Sequence, residues 1–200
     1  MPSSTDIESH VAPLQTLATW LNEARAAGVL EPDAMALATV SADGRPSVRF
    51  VLCRGIDGEG VSFFTSYDSR KGRELAGRPH AAAAFHWAAT RHQVRVEGDV
   101  EVLPAAASDA YFRSRARGSQ LSASVSPQSA PIENLDSLRE RRRRLDESLH
   151  GADVPRPPNW GGYRLRASSV ELWTSGEDRL HDRVRYERRG DVWVPQRLAP

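Results

Sequence analysis

The stretch Met35–Thr65, MALATVSADGRPSVRFVLCRGIDGEGVSFFT, decides the fold class, because it has the pattern of three short strands separated by tight turns. Asp43-Gly44 and Asp57-Gly58 are dipeptides typical of hairpin turns, and each lies between two apolar runs. Tight turns join antiparallel strands, whereas parallel strands need long crossover connections. The stretch therefore predicts an antiparallel sheet.

The same kind of pattern continues along the rest of the chain. Further strands are predicted at 81–87, 93–103, 162–167, 170–174 with a continuation near 181–188, and 192–197. Helices are predicted at 11–27, 70–75, 106–115, 119–124 and 135–149. The expected fold class is α+β, a mainly antiparallel sheet surrounded by helices, and the short hairpin-linked strands favour a closed barrel over a parallel sheet.

Length and composition predict one domain over 11–200, preceded by a polar, disordered tail at 1–10. The 200 residues contain 27 Lys and Arg against 26 Asp and Glu, and this balance gives no electrostatic case for nucleic acid or a membrane surface. Cys53 is the single cysteine, so no intrachain disulfide forms, and the six histidines lack metal-ligand spacing. With no signal peptide or membrane-spanning run, a cytoplasmic protein without a metal is expected.

Arg179, His181 and Arg183 alternate near the end of the chain. On a strand, these three side chains share one face. Two guanidiniums beside an imidazole suit a planar anionic ligand. The alternative is an arginine-rich edge strand that only solvates the sheet.

A second cationic group lies around the predicted helix that begins after Ser69. Arg49 and Arg54 belong to one strand, Thr65 ends the next strand, and Arg70-Lys71 opens the helix. Free N–H groups at a helix N-terminus, together with hydroxyls and cations, are typical of a phosphate site. The alternative is an ordinary capped surface helix.

Tyr111, Arg115 and Ser119 form a third group with spacing i, i+4, i+8. On one continuous helix they lie within an arc of about 80°. A phenol, a guanidinium and a hydroxyl on one stripe predict a second phosphate site, with an exposed polar face as the alternative. The run 139–144 is also rich in arginine, but interleaved acidic residues at i,i+4 spacing indicate a solvated helix face.

Several ordered motifs, spread over about 17–200, resemble the pyridoxamine 5'-phosphate oxidase family. The matching motifs are Arg49-Phe50-Val51-Leu52, Phe63-Phe64-Thr65, Ser69-Arg70-Lys71, Arg115-Ala116-Arg117-Gly118-Ser119-Gln120, Trp160-Gly161-Gly162, Glu171-Leu172-Trp173, Arg179-Leu180-His181-Asp182-Arg183 and Arg197-Leu198-Ala199-Pro200. The resemblance implies a split β-barrel, FMN as the cofactor, and a homodimer with FMN between its two subunits.

The resemblance also assigns residues to the two ligands. It implies FMN contacts by Arg49, Phe50, Val51, Leu52, Cys53, Arg54, Phe64, Thr65, Arg70, Lys71, Gln93, Gln128, Ser129, Trp173 and Arg183. The last four of these residues would contact FMN from elsewhere in the fold or from the other subunit. It implies substrate contacts by Arg54, Tyr111, Arg115, Ser119, Arg179 and His181, with Arg179 and His181 as the catalytic pair. Arg54 and Phe64 depart from the lysine and the tyrosine that are frequent in the family.

The implied reaction is the oxidation of pyridoxamine or pyridoxine 5'-phosphate to pyridoxal 5'-phosphate, with O2 reduced to H2O2. Because arginine is too basic to accept a proton, His181 is the better candidate for proton transfer. Two alternatives stay open, namely a phenazine-biosynthesis flavin oxidase of the same fold and a non-catalytic protein that binds flavin or pyridoxal phosphate.

Overall fold

A computed structural model describes residues 12–200 of the chain. The tail predicted at 1–10 and the start of the first predicted helix, Val11, lie outside the described residues. Within 12–200 the chain forms five α-helices around one nine-stranded sheet. The helices are α1 Pro13–Ala26, α2 Arg70–Gly77, α3 Ala105–Ser114, α4 Arg117–Val125 and α5 Leu135–Ser148.

All the strand pairings in the sheet are antiparallel, as the turn pattern predicts. The strands are β1 Ala34–Val40, β2 Pro46–Leu52, β3 Gly55–Ile56, β4 Gly60–Ser66, β5 His80–Trp87, β6 His92–Val102, β7 Trp160–Thr174, β8 Asp182–Arg189 and β9 Val192–Arg197. Their order is β2-β1-β5-β6-β7-β4-β3, and β8 pairs with β7 and β9. Over the described residues this ladder runs from β2 to β3 without closing, so the sheet is a curled half-barrel, in agreement with the split β-barrel that the family resemblance implies.

Strand β7 is the point at which the sheet splits. Its first half pairs with β4, its second half pairs with β8, and β6 follows it along the opposite edge. The prediction of two separate strands at 162–167 and 170–174 is wrong, because the chain stays extended through Ser168. The register with β6 shifts there, between Glu97 and Gly98, as in a β-bulge.

The barrel interior is apolar and holds α1 against the sheet. Leu17, Met35, Phe63 and Phe85 are among its fully buried side chains. Leu14, Leu17, Leu21 and Ala24 form the buried stripe of α1, in agreement with their helical spacing. A smaller core, made of Phe112, Leu121, Val154 and Trp160, lies beneath α3 and α4.

The two helices predicted at 106–115 and 119–124 are found as α3 and α4, so Tyr111, Arg115 and Ser119 do not lie on the one continuous helix that a shared stripe would need. Helix α3 ends at Ser114, Arg115 is extended with ψ 148°, and α4 begins after Ala116. The three side chains therefore belong to two helices and a break between them, not to one stripe.

The segment before β8 is also different from its prediction. Arg179 lies in a 3₁₀ turn with a positive φ of 65°, and β8 begins only at Asp182. The strand alternation that places Arg179, His181 and Arg183 on one face is therefore wrong.

Strand β2 forms an edge of the sheet and exposes its apolar face. Val48 is 69% exposed and Phe50 is 76% exposed, whereas Arg49 and Val51 face the other way and are half-buried. An exposed apolar strip on an edge strand is a surface that another chain can cover. None of the helices in 12–200 has the length and apolar character required to cross a membrane.

Candidate active site

A cleft of about 820 Å³ opens between the half-barrel and helices α2, α3 and α4. Predicted cofactor and substrate residues line it together, and these are Arg49, Phe50, Val51, Leu52, Arg54, Phe64, Thr65, Lys71, Tyr111, Arg115, Ser119, Gln128 and Ser129. Ser114, Ala116 and Trp160 complete the lining. The lining contains four cationic side chains and no carboxylate.

Lys71 forms one cationic region of this cleft, in the first turn of α2. Ser69 caps the helix, and its hydroxyl accepts the N–H of Gly72 at 3.2 Å. The Lys71 ammonium donates to the Thr65 hydroxyl at 3.0 Å and to the Gln128 side-chain oxygen at 3.3 Å. Burial, with the nearby Arg49, lowers the pKa of Lys71 to about 8. Among the described residues, the hydrogen-bond partners of this buried ammonium are all neutral, which makes it a favourable site for an anion.

Arg49 approaches the same region from β2 and is held by Glu74 of α2. Its guanidinium lies 3.2 Å from the buried Glu74 carboxylate and donates to the Leu37 carbonyl at 3.1 Å. Burial by itself would raise the pKa of Glu74, but hydrogen bonds from Thr39, Ser47, Arg70 and Arg49 outweigh it and bring the pKa to about 2. The carboxylate therefore stays ionised and fixes Arg49 at the cleft.

Arg115 forms a second cationic region, at the break between α3 and α4. Its guanidinium packs over the Trp160 ring at 4.8 Å, a cation–π contact. Burial lowers the pKa of Arg115, and within the described residues its buried Nη1 makes no hydrogen bond. Tyr111 and Ser119 line the cleft beside it. An unpaired guanidinium next to a phenol and a hydroxyl is suited to an oxyanion.

An aromatic wall lies next to these groups, and sequence reasoning did not assign Trp160 to the site. Phe64 stacks on Tyr111 with ring centroids 4.0 Å apart, and Trp160 lies 5.8 Å from Phe64. A Cβ on Gly162 would lie 2.7 Å from the Phe64 ring, so any other residue here would displace that ring. The Trp160-Gly161-Gly162 motif was the available signal for this wall.

Five predicted cofactor residues do not line the cleft, and two of them, Cys53 and Arg70, are sequence neighbours of residues that do. Arg70 is paired with Glu74 at 2.9 Å. Cys53 is buried, its thiol donates to the Gly55 carbonyl at 3.4 Å, and burial raises its pKa to about 11. The Cys53 side chain lines a separate cavity behind the cleft.

The remaining predicted residues form a second cluster on β6, β7, β8 and the turn before β8. Gln93 is the register partner of Trp173, and Trp173 is the partner of Arg183. The rings of Trp173 and His181 lie 4.6 Å apart. Arg183 is held by Glu171, which accepts its Nε–H at 2.9 Å. The Trp173 cluster consists of Gln93, Trp173, Arg179, His181 and Arg183. None of these residues lines the cleft of its own chain, which contains the Lys71 and Arg115 regions.

The loop before β8 fixes the orientation of His181. The backbone N–H of Gly176 donates to Nδ1 of His181 at 3.2 Å. Because Nδ1 accepts this bond, the neutral ring carries its proton on Nε2. In this conformation Nε2 of neutral His181 is a hydrogen-bond donor.

The split barrel and its cationic, aromatic-walled cleft define the class of flavoprotein oxidoreductases with this fold, and sequence comparison specifies the family. Residues 21–145 match the family model described as pyridoxamine 5'-phosphate oxidase. Residues 160–200 match the pyridoxine 5'-phosphate oxidase C-terminal dimerisation region. The chain belongs to the pyridoxamine 5'-phosphate oxidase family.

Individual relatives agree with this assignment. The chain is 46% identical to a pyridoxine/pyridoxamine 5'-phosphate oxidase of Cyanothece sp., over 99% of this chain and 92% of that protein. It is 48% identical to the enzyme of the same name from Bordetella pertussis, over 96% of this chain and 91% of the relative. A solved structure of PhzG from Burkholderia lata, in complex with tetrahydrophenazine-1-carboxylic acid, matches with a TM-score of 0.88 and 38% identity, covering 94% of this chain and 92% of that one.

Proposed function

We propose that this chain oxidises pyridoxamine or pyridoxine 5'-phosphate to pyridoxal 5'-phosphate with FMN as its cofactor and O2 as the final electron acceptor. The observation that carries the proposal is the single cleft in which Lys71 and Arg115 provide cations without carboxylate partners. Two anionic groups on two aromatic ligands match this arrangement. The alcohol substrate and O2 give the aldehyde and H2O2, and the amine substrate also consumes water and releases ammonia.

The region around Lys71 fits the phosphate of FMN. Lys71 is a partly buried cation next to hydroxyl and amide groups, and Arg49 adds a second cation. Residues 49–52 and Arg54, with Phe64, Gln128 and Ser129, would hold the rest of the cofactor in the cleft. When bound, FMN supplies a two-electron acceptor that can take a hydride and pass the electrons to O2.

The region around Arg115 fits the phosphate of the substrate. Its guanidinium has donors free for an oxyanion, and Tyr111 and Ser119 add two hydroxyls. These three side chains would hold the phosphate end of the substrate. Arg54 lines the cleft near Arg115. Holding the substrate at its phosphate places its ring in one orientation and reduces the entropy lost at the reaction step.

A second copy of the chain would complete the site. The cluster of Gln93, Trp173, Arg179, His181 and Arg183 lies outside the cleft of its own chain, and β2 exposes an apolar strip next to the cleft. The match of 160–200 to a dimerisation region supports a homodimer with FMN at the interface. In that assembly the cluster of one subunit faces the cleft of the other.

His181 would orient the reacting group of the substrate. Its Nδ1 accepts the Gly176 N–H, which leaves the Nε2 proton to donate to the substrate amine or alcohol. This arrangement supports a polarising and orienting role for the neutral ring. Proton acceptance at Nε2 requires the ring to give up its present tautomer. Arg179, two residues earlier, would supply positive charge and a donor.

The similarity to PhzG favours one alternative, the oxidation of a reduced tricyclic carboxylic acid. A carboxylate would also satisfy the Arg115 guanidinium. Three groups at that position, Tyr111, Arg115 and Ser119, are better matched to the three oxygens of a phosphate. The non-catalytic alternative predicts ligand binding without turnover.

Purified protein tests these functions directly. We expect a yellow protein that retains FMN and that forms equal amounts of H2O2 and pyridoxal 5'-phosphate when either phosphorylated vitamer is added. A protein that takes up no FMN contradicts every flavin function. A flavin-bound protein that turns over tetrahydrophenazine-1-carboxylic acid but neither vitamer supports the alternative, and one that turns over nothing supports a binding role.

A further inference from the structure

We propose that Asp33 is a positioning residue that fixes the guanidinium of Arg54 at the cleft, so that substrate affinity depends on the Asp33 carboxylate. The proposal rests on the proposed function, because Arg54 acts here on the substrate bound next to Arg115. Asp33 lies in the turn before β1, does not line the cleft, and was not identified by the sequence analysis.

Arg54 lines two neighbouring cavities. One is the cleft, and the other is a smaller cavity of about 310 Å³ that Asp33, Arg25 and Cys53 line from behind. The Arg54 Nη1 donates to the Asp33 carboxylate at 3.0 Å across this second cavity. Arg54 can therefore present its remaining N–H donors to the cleft while Asp33 holds it from the rear.

Two further contacts hold Asp33 itself in place. Arg25 of α1 donates to its other carboxylate oxygen at 3.2 Å, and Arg25 also donates to Asn22 at 2.9 Å. The Asp33 backbone carbonyl accepts the N–H of Cys53 at 2.8 Å, the residue just before Arg54. The carboxylate thus has a fixed position relative to the backbone that carries Arg54.

The position of Arg54 matters to the substrate region because Arg54 is close to Arg115. The positive charge of Arg54 contributes to the lowered pKa of Arg115. Two guanidiniums near each other repel, and without a carboxylate behind it Arg54 would turn away towards solvent. The Asp33 carboxylate offsets this repulsion and keeps both cations at one cleft.

Asp33→Asn separates positioning from simple neutralisation of charge. If Asp33 positions Arg54, the variant loses an ordered guanidinium, and KM for pyridoxine 5'-phosphate rises by about fivefold to tenfold with a small change in kcat. If Asp33 only cancels the charge of Arg54, its loss makes the cleft more positive, and KM falls instead. Positioning and charge neutralisation therefore predict changes in KM of opposite sign.

A double-mutant cycle with Arg54→Gln supplies a readout that a structural role does not move. We expect Asp33→Asn to have no further effect on KM in the Arg54→Gln background, because no guanidinium is left to position. Asp57→Asn is the matched control, since Asp57 pairs with Arg164 at 2.6 Å on the outer surface. Its KM should equal that of the wild type, and thermal unfolding of all variants checks their folding.

The affinity of the flavin-loaded protein for pyridoxal 5'-phosphate, followed by visible absorption, keeps this test separate from the proposed function. A wild type that binds this aldehyde without oxidising either vitamer contradicts the proposed function only, and the cycle is then measured as dissociation constants. An unchanged or lower KM in Asp33→Asn, or an equal effect of that change with and without Arg54, overturns the positioning role of Asp33.

Discussion

Lys71 and Ser119 line the same cleft, although one belongs to the first turn of α2 and the other to the first turn of α4. Phe64, Tyr111 and Trp160 line this cleft as well, and their rings form an aromatic wall. Two cationic regions and an aromatic wall in one cleft are the arrangement that two phosphorylated ring compounds require.

Arg115→Ala should weaken substrate binding far more than FMN binding. The guanidinium has no hydrogen bond at Nη1, so its removal leaves no buried partner unsatisfied in the protein and removes a charged contact to the substrate phosphate. We expect KM to rise about tenfold to a hundredfold, with the FMN dissociation constant nearly unchanged. Arg113→Ala, in the last turn of α3 and exposed, is the control. Equal losses of substrate and FMN affinity would refute the assignment.

FMN affinity should depend on pH through Lys71. The pKa of this lysine is lowered to about 8 in the protein without ligand, so the ammonium is largely present at pH 7 and is lost as pH rises above 8. The phosphate is already a dianion there, because its second pKa is about 6. Affinity should therefore fall by at most about tenfold per pH unit above 8. Fluorescence titration of FMN between pH 6.5 and about 9.5 measures this slope.

Lys71→Arg is the matched variant for that experiment. Arginine keeps its charge over the whole range, so its FMN affinity should show no decline above pH 8. A Lys71→Arg protein with the same decline as the wild type would assign the pH dependence to another group.

His181→Ala should reduce turnover while leaving the flavin in place. Loss of the oriented Nε2–H removes a donor to the reacting group, and we expect kcat to fall about a hundredfold. FMN content, read from the visible spectrum, should stay close to that of the wild type. His80→Ala, at the exposed start of β5, is the control. Full turnover in the His181 variant would exclude this residue from the mechanism.

Gly176→Ala should lower turnover by changing the backbone of the loop that orients His181. A Cβ at this position would lie 1.8 Å from the Leu180 carbonyl oxygen, so the turn that carries Arg179 and His181 must shift. We expect kcat to fall with only a small loss in the thermal midpoint, because no core residue is involved. Gly58→Ala, whose Cβ meets no atom within 4 Å, serves as the control. Equal kcat values for the two variants would show that the loop geometry is unimportant.

Local turn chemistry explains how much of the fold could be predicted from the sequence. Asp43-Gly44 gives a hairpin in which Gly44 has φ +84°, and the last strand is found at Val192–Arg197 as predicted. The two predicted helices at 106–115 and 119–124 already leave a break between them, but the position of Arg115 on Trp160 at that break could not be foreseen from the sequence. There the packing of Arg115 on Trp160 competes with helix continuation, and this contact depends on tertiary structure.

The candidate site was predicted where its residues share a short motif and missed where a partner lies far along the chain. Lys71 and Thr65 belong to neighbouring motifs and meet in the cleft. Asp33 and Glu74 contact Arg54 and Arg49 over more than twenty residues, so no sequence spacing indicates either ion pair. The Trp173 cluster can act at the cleft of its own chain or at that of a partner chain. The choice depends on how the chains assemble, so local sequence does not indicate it.

Mixed dimers of two inactive variants test the central claim most directly, namely that the cleft of one subunit works with the Trp173–His181 cluster of the other. One parent carries Lys71→Gln and Arg115→Ala, and the other carries His181→Ala and Arg183→Ala. If the site is shared between subunits, each mixed dimer contains one intact site, and unfolding and refolding an equal mixture should restore about a quarter of wild-type turnover. If cleft and cluster of the same chain act together, the mixture stays as inactive as its parents, and that result would contradict the account.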